Sequence, residues 1–224
     1  GTIERGDKSD TASSKIAEWM ADEVEFEMDP GRADRSGAGW YSHKFQRALD
    51  ELGRTFPELK GRNIKNSNLP GVQLLGNKKN ARNFLTTLIA LTSDGQKVFS
   101  NYALAGRVYD YFRENGTLKG FELESWRGES MRTNLVAVQK MLDDHGPENM
   151  HTVLMQENTV SELKASAKKL GFTLTAGYPA DRVLPMAAIV LGPKLGAFYG
   201  NLMGAHGYLT MDRWWTRTFN RYRG

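Results

Sequence analysis

The sequence contains no cysteine. This absence excludes disulfide bonds, a cysteine nucleophile, and zinc or iron–sulfur sites that depend on thiolate ligands. Apolar runs also stay shorter than the roughly 18 residues that a membrane-spanning helix requires, so we expect no membrane span. The first ten residues are polar and lack the apolar segment of a secretory signal, so we expect none and place the protein in the cytoplasm.

Acidic residues are missing from two stretches of the chain. None occurs from Leu59 to Ser93 and none follows Asp212. The basic residues of these stretches are Lys60, Arg62, Lys65, Lys78, Lys79, Arg82, Arg213, Arg217, Arg221 and Arg223. The net charge is only +4, but the pI is 9.2, and segregated basic segments suit the binding of a phosphate backbone. The alternative is that both stretches are ordinary solvated faces.

Hydrophobic periodicity predicts a mostly α-helical chain. Apolar residues at the i, i+3, i+4 spacing of a buried helix face recur along most of its length. Helices are predicted over 11–28, 40–52, 81–92, 98–115, 135 to about 145, 160–170, and from Pro193 onward. The Pro/Gly-rich residues 57–79 predict a loop, and weak strand signals occur at 151–155 and 172–175. We expect an N-terminal helical arm, 1–57, and a domain, 58–224, or one continuous domain.

Lys194 and Asp212 are the most informative pair of residues. Lys194 follows Gly192–Pro193 at the start of an apolar helix, and Asp212 lies eighteen residues later, where it can begin the next helix. An amine and a carboxylate that face one pocket suit chemistry at an electrophilic sugar carbon. The alternative is that Lys194 is solvated and Asp212 is only a helix N-cap.

Two segments resemble the helix-hairpin-helix DNA glycosylase superfamily, in particular its endonuclease III-like members. Residues 84–105 resemble the family's early helix, its Ser/Gln-containing loop, and the following helix with Val98, Asn101 and Ala103. Residues 188–198 and 209–217 resemble the hairpin with its lysine and the segment with the aspartate. The resemblance implies a helix-hairpin-helix glycosylase-like domain, and the Lys194-to-Asp212 interval is the one usual in members with lyase activity.

The hairpin departs from the family pattern, which is typically Leu-Pro-Gly-Val-Gly. Here the matching stretch is Ala188-Ile-Val-Leu-Gly192, so Gly192 is the one glycine left to offer its backbone N–H to a phosphate. The residue that fills the vacated base stack in the family matches Asp94. An anionic side chain is unfavourable there, so Gln96 is the preferred candidate. The similar stretch Leu69-Pro-Gly-Val72 is interpreted as loop.

Cleavage of an N-glycosidic bond leaves an oxocarbenium-like sugar, which the carboxylate of Asp212 can stabilise. Lys194 can attack the sugar carbon as a neutral amine, which burial and the positive end of its own helix both favour. The flipped base needs an apolar or aromatic pocket, for which the candidates are Trp214, Trp215 and Tyr199; each of them also suits an ordinary core. Candidates for nucleic-acid contacts are Gln96, Gly192, Lys78, Lys79, Arg82, Arg213 and Arg217.

The leading hypothesis is a DNA glycosylase with lyase activity that acts on duplex DNA. A second hypothesis is a binding module without catalysis, and a third is a toxin or phage-borne effector domain that attacks foreign nucleic acid. We expect no cofactor and no metal, because His145 and His151 have no third ligand at metal-site spacing. We expect a monomer, with the sequence being the whole protein or a domain of a larger one.

Overall fold

The computed structural model describes residues 40–96, 98–124, 128–171 and 179–205. These residues are mostly helical, as predicted. The helices are α1 (Trp40–Thr55), α2 (Pro70–Leu75), α3 (Lys78–Thr92), α4 (Val98–Asn115), α5 (Glu129–Leu154), α6 (Val160–Leu170), α7 (Ala187–Val190) and α8 (Pro193–Leu202). A 3₁₀ helix, Pro57–Lys60, and two strands, β1 (Glu157–Thr159) and β2 (Val183–Pro185), complete the described elements. In this part of the chain, no helix combines the length and apolar character needed to span a membrane.

Residues Arg47–Thr210 form one compact unit, and Gly1–Gln46 together with Met211–Gly224 form another. Nearly all described residues belong to the first unit. The helix predicted at 11–28 lies outside the described residues. The domain boundary expected after residue 57 stays a prediction.

Helix α3 is the central element of this unit. It packs against α4, α5, α8 and the 3₁₀ helix, and eleven of its fifteen residues are buried. The side chain of Asn77 caps its first turn by accepting a hydrogen bond from the backbone N–H of Asn80. Thr86 is buried, and its hydroxyl donates to the carbonyl of Arg82 in the same helix, at 2.8 Å. Because the hydroxyl has this partner, the buried surface of α3 can include polar residues outside the predicted apolar face.

The prediction of a loop over 57–79 is wrong for two of its parts. Pro57–Lys60 is a 3₁₀ helix, and α2 begins at Pro70 with Leu69 as its extended N-cap. Proline is well tolerated in the first turn of a helix, since its missing N–H would have no partner there. Gly71 has a packing role, because a Cβ at this position would lie 2.1 Å from the carbonyl oxygen of Phe112.

The strands also differ from expectation. Residues 151–154 form the last turn of α5, so the strand signal at 151–155 is wrong, and 172–175 lie outside the described residues. Strands β1 and β2 pair antiparallel, with Asn158 opposite Leu184. The break predicted near the end of the 135–145 helix is present, since Gly146 has φ 68° and ψ 164° and interrupts α5. Helix α6 ends before Gly171, as predicted.

Candidate active site around Lys194

Helices α7 and α8 form a tight helical hairpin through Leu191 and Gly192. Gly192 has φ 85° and ψ 159°, a conformation that is essentially restricted to glycine. A Cβ added at Gly196 would lie 2.5 Å from the backbone nitrogen of Ala188, so the two helices touch through their backbones. The sequence Gly192-Pro-Lys-Leu-Gly196 therefore fixes both the turn and the spacing of the hairpin.

Lys194 is the second residue of α8 and lies directly after the hairpin turn. Its side chain is 42% exposed, and its Nζ lies 3.4 Å from Oδ1 of Asp94, in the loop between α3 and α4. Burial was expected to favour the neutral amine. The side chain is partly buried, as expected, and its reaction as the neutral amine stays a prediction. Attack by Lys194 as an amine requires a group that accepts the proton of its ammonium.

Asp94 joins three parts of the fold. Its other carboxylate oxygen, Oδ2, accepts a hydrogen bond from the hydroxyl of Ser130 in the first turn of α5, at 3.1 Å. The side-chain amide of Gln96 donates to the backbone carbonyl of Asp94, at 3.3 Å. The α3–α4 loop, the start of α5 and the start of α8 thus meet at one carboxylate. We call Asp94, Ser130 and Lys194 the Asp94 cluster.

Buried amides hold the elements that carry this cluster. Asn134 in α5 is buried and donates through Nδ2 to the carbonyl of Leu191 in the hairpin turn, at 3.2 Å. At the end of α3, the hydroxyl of Thr92 lies 2.5 Å from Oδ1 of Asn101 in α4, and both side chains are buried. These contacts fix the hairpin against α5 and fix the two ends of the loop that presents Asp94.

Tyr199, proposed above as part of a base pocket, lies in the core. Its side chain has no exposed surface, and its hydroxyl oxygen lies 2.7 Å from Nδ1 of His151. Burial raises the pKa of the Tyr199 hydroxyl. Burial, followed by the charge of Lys79, lowers the pKa of His151. A ring enclosed in this way offers no face on which a base can stack, so the structure does not support this assignment.

The predicted basic contacts separate into two groups. Arg82 is held by the structure, because it pairs with Asp50 at 2.6 Å and donates to the carbonyl of Leu59 at 3.1 Å. Lys78 and Lys79 are exposed at the opposite end of α3 from Asp94. The remaining candidates, Asp212, Arg213, Trp214, Trp215 and Arg217, lie outside the described residues.

Sequence reasoning missed the pairing of Lys194 with Asp94. The two residues are one hundred positions apart, and Asp94 was considered only as an unsuitable wedge. One signal pointed to it, because Asp94 is the first acidic residue after Glu58 in a strongly basic stretch. An isolated carboxylate in a basic stretch is a candidate partner for an ion pair with a distant lysine.

Comparison of the chain with protein-family models, with curated proteins and with solved structures finds no match. The functional interpretation therefore rests on the chemistry of the Asp94 cluster and of the hairpin. Within the described ranges, no group of three or more histidine and carboxylate side chains is placed to hold a metal ion.

Replacing Gly192 by alanine is expected to lower the free energy of unfolding by about 1–3 kcal/mol, the usual cost of a strained backbone conformation. A Cβ there would meet no atom within 4 Å, so the loss reports backbone strain and not a clash. Urea unfolding measures it. Gly106→Ala is the matched control, because Gly106 lies within α4 with no atom closer than 3.9 Å and should lose nothing. Equal stability of both variants and wild type would contradict the prediction.

Proposed function

We propose that the protein is a DNA glycosylase with lyase activity, in which Lys194 is the nucleophile and Asp212 stabilises the sugar cation. The observation that carries the proposal is the position of Lys194, which is half-exposed and lies directly after the glycine turn of the helical hairpin. A lysine attacks carbon only as an amine, and a carboxylate 3.4 Å away is a suitable acceptor for its proton. Both groups are half-exposed, so a substrate can reach them.

The proposed reaction begins with a proton transfer. Asp94 accepts a proton from the ammonium of Lys194, and the amine nitrogen then forms a bond to C1′ of the flipped nucleotide. The bond between C1′ and the base nitrogen breaks, and the base leaves with the bonding electrons and takes up a proton. The nitrogen of Lys194, now bonded to C1′, loses a proton, the C1′–O4′ bond breaks and O4′ takes up that proton. A protonated imine between Lys194 and C1′ results. The carboxylate of Asp212 stabilises the positive charge that develops on the sugar.

The hairpin and the exposed lysines support DNA as the substrate. Among the described residues, no atom beyond Gly192 and its chain neighbours lies within 4 Å of the position that a Cβ would occupy there, so a phosphate has room to approach the backbone. Lys78 and Lys79 add positive charge elsewhere on the same unit. The resemblance of residues 84–105, 188–198 and 209–217 to the glycosylase superfamily agrees with this interpretation, since it assigns the same lysine to the same step.

Borohydride trapping tests the proposal. Wild-type protein is incubated with a labelled duplex that contains one abasic site, and with the same duplex carrying an intact base, in the presence of sodium borohydride. We expect a covalent adduct on the abasic duplex, because reduction of the imine makes the bond permanent. Absence of an adduct on the abasic duplex would contradict the lyase mechanism.

A second candidate function is nucleic-acid binding without catalysis. The observation in its favour is the ion pair of Lys194 with Asp94, since a half-exposed lysine in such a pair can contact a phosphate without acting as a nucleophile. Fluorescence anisotropy on the same duplexes distinguishes the two functions. Binding of the abasic duplex without any trapped adduct would favour the binding module.

A further inference from the structure

A second polar site lies at the opposite end of α3 from Asp94. It is a cavity of about 390 Å³ between the 61–66 segment and the turn that precedes α3. Its lining includes Lys65, Lys78, Asn63, Asn66 and Asn77. Lysine and asparagine side chains supply hydrogen-bond donors, and the two lysines add positive charge, a combination that suits an anion.

Among the described residues, the charged side chains that line this cavity are those of Lys65 and Lys78, and no acidic residue lines it. No acidic residue occurs between Glu58 and Asp94 in the sequence either. Glu58 itself is buried and paired with Arg113, so its charge is already compensated. Within the described ranges neither Lys65 nor Lys78 forms an ion pair, and both are exposed. The two lysines are therefore available to an external anion.

We propose that this cavity binds a backbone phosphate of the DNA strand, as a contact separate from the Asp94 cluster. The inference rests on the proposed function, because it assigns the phosphate to the strand that Lys194 attacks. A strand is favoured over a small free phosphate because Lys60, Arg62 and Lys79 extend the acid-free segment beyond the cavity. An extended polyanion uses all these charges, whereas a single phosphate uses only those in the cavity.

Helix α3 sets the spacing between the two sites. Its fifteen residues, Lys78–Thr92, span about 22 Å at 1.5 Å per residue. Base pairs of a DNA duplex are about 3.4 Å apart along each strand, so a strand that covers this distance on the surface has about six nucleotides between the two contacts. The cavity would thus bind a phosphate about six nucleotides from the flipped base.

The salt dependence of DNA binding tests this inference. The double variant Lys65→Ala/Lys78→Ala is compared with Lys168→Ala/Lys169→Ala, which removes two exposed lysines from the last turn of α6. Anisotropy with a labelled abasic duplex gives the affinity from roughly 50 to 200 mM salt. The cavity variant should bind more weakly, and its slope of log affinity against log salt should be shallower by about 1, the change expected for the loss of one phosphate contact. The α6 variant should match wild type.

The outcomes separate this inference from the proposed function. Identical slopes for both double variants and wild type would overturn the cavity site, while trapping by wild type would leave the function standing. Failure of wild type to bind the duplex at any salt concentration would overturn both. Titration with inorganic phosphate, followed by NMR of the Lys78 amide, adds a further arm. A response to phosphate together with unchanged duplex affinity in the cavity variant would assign the cavity to a free phosphate and overturn the inference.

Discussion

Lys194→Ala is expected to reduce the borohydride-trapped adduct on abasic DNA to background. The alanine side chain has no nitrogen that can bond to C1′, and imine formation requires a primary amine. The fold should survive the change, because the Lys194 side chain is 42% exposed and its pair with Asp94 is of the kind that contributes about 0–1 kcal/mol. The measurement is the fraction of labelled DNA shifted into the covalent band on a denaturing gel, with wild type alongside.

Two control variants make this result specific. Lys194→Arg keeps a cation beside Asp94, but a guanidinium does not lose its proton in proteins, so DNA binding should persist without an adduct. Lys140→Ala removes a partly exposed lysine that pairs with Asp144 at 2.8 Å in α5, and this variant should trap like wild type. An adduct formed by Lys194→Ala at the wild-type level would assign the imine to another lysine and refute the mechanism.

Arg113→Ala is expected to lower the free energy of unfolding by about 3–5 kcal/mol, because it leaves a buried carboxylate without its partner. The Nε of Arg113 lies 2.6 Å from Oε1 of Glu58, and the two side chains are only 14% and 3% exposed. The guanidinium carbon also lies 4.8 Å from the ring centre of Phe56. Domains of this kind have about 5–15 kcal/mol of stability in total, so the loss should be evident in urea or thermal unfolding.

Asp110→Ala provides the matched control for the buried pair. Asp110 contacts the same guanidinium at 2.6 Å, but its side chain is 49% exposed. A solvent-screened pair of this kind contributes about 0–1 kcal/mol, so Asp110→Ala should cost far less than Arg113→Ala. Similar losses for the two variants would show that burial of Glu58 does not set the energy of this contact.

The elements that sequence reasoning predicted well are those defined by local pattern. The spacing of Phe84, Leu85 and Leu88 marked the buried face of α3, and Gly171 marked the end of α6. The elements that it missed depend on distant partners. Helix α2 was hidden because Pro70 and Gly71 also suit a turn, and the carbonyl of Phe112 decides the role of Gly71. Strands β1 and β2 contain three residues each, too few for a period-two pattern to emerge.

The candidate site also has parts that the local sequence predicts and parts that depend on distant partners. The position of Lys194 at a helix start after a glycine turn was readable, because Gly192 and Pro193 are local signals. Its proximity to Asp94 was not, since one hundred residues separate the two and only the packing of α8 against α3 brings them together. The sequence left open whether Tyr199 lies in a base pocket or in the core. Helix α8 is buried on several faces, so its sequence does not show which aromatic ring would face a ligand.

Helix α3 has a consequence for the motions of the protein. The backbone N–H groups of its buried part, Phe84 to Thr92, are enclosed by α4, α5 and α8, so their hydrogens should exchange with solvent only when the whole unit unfolds. A helix protected in this way keeps its length. The cavity at Lys78 and the loop at Asp94 should therefore keep a constant separation, and the proposed DNA strand has to match that distance to reach both.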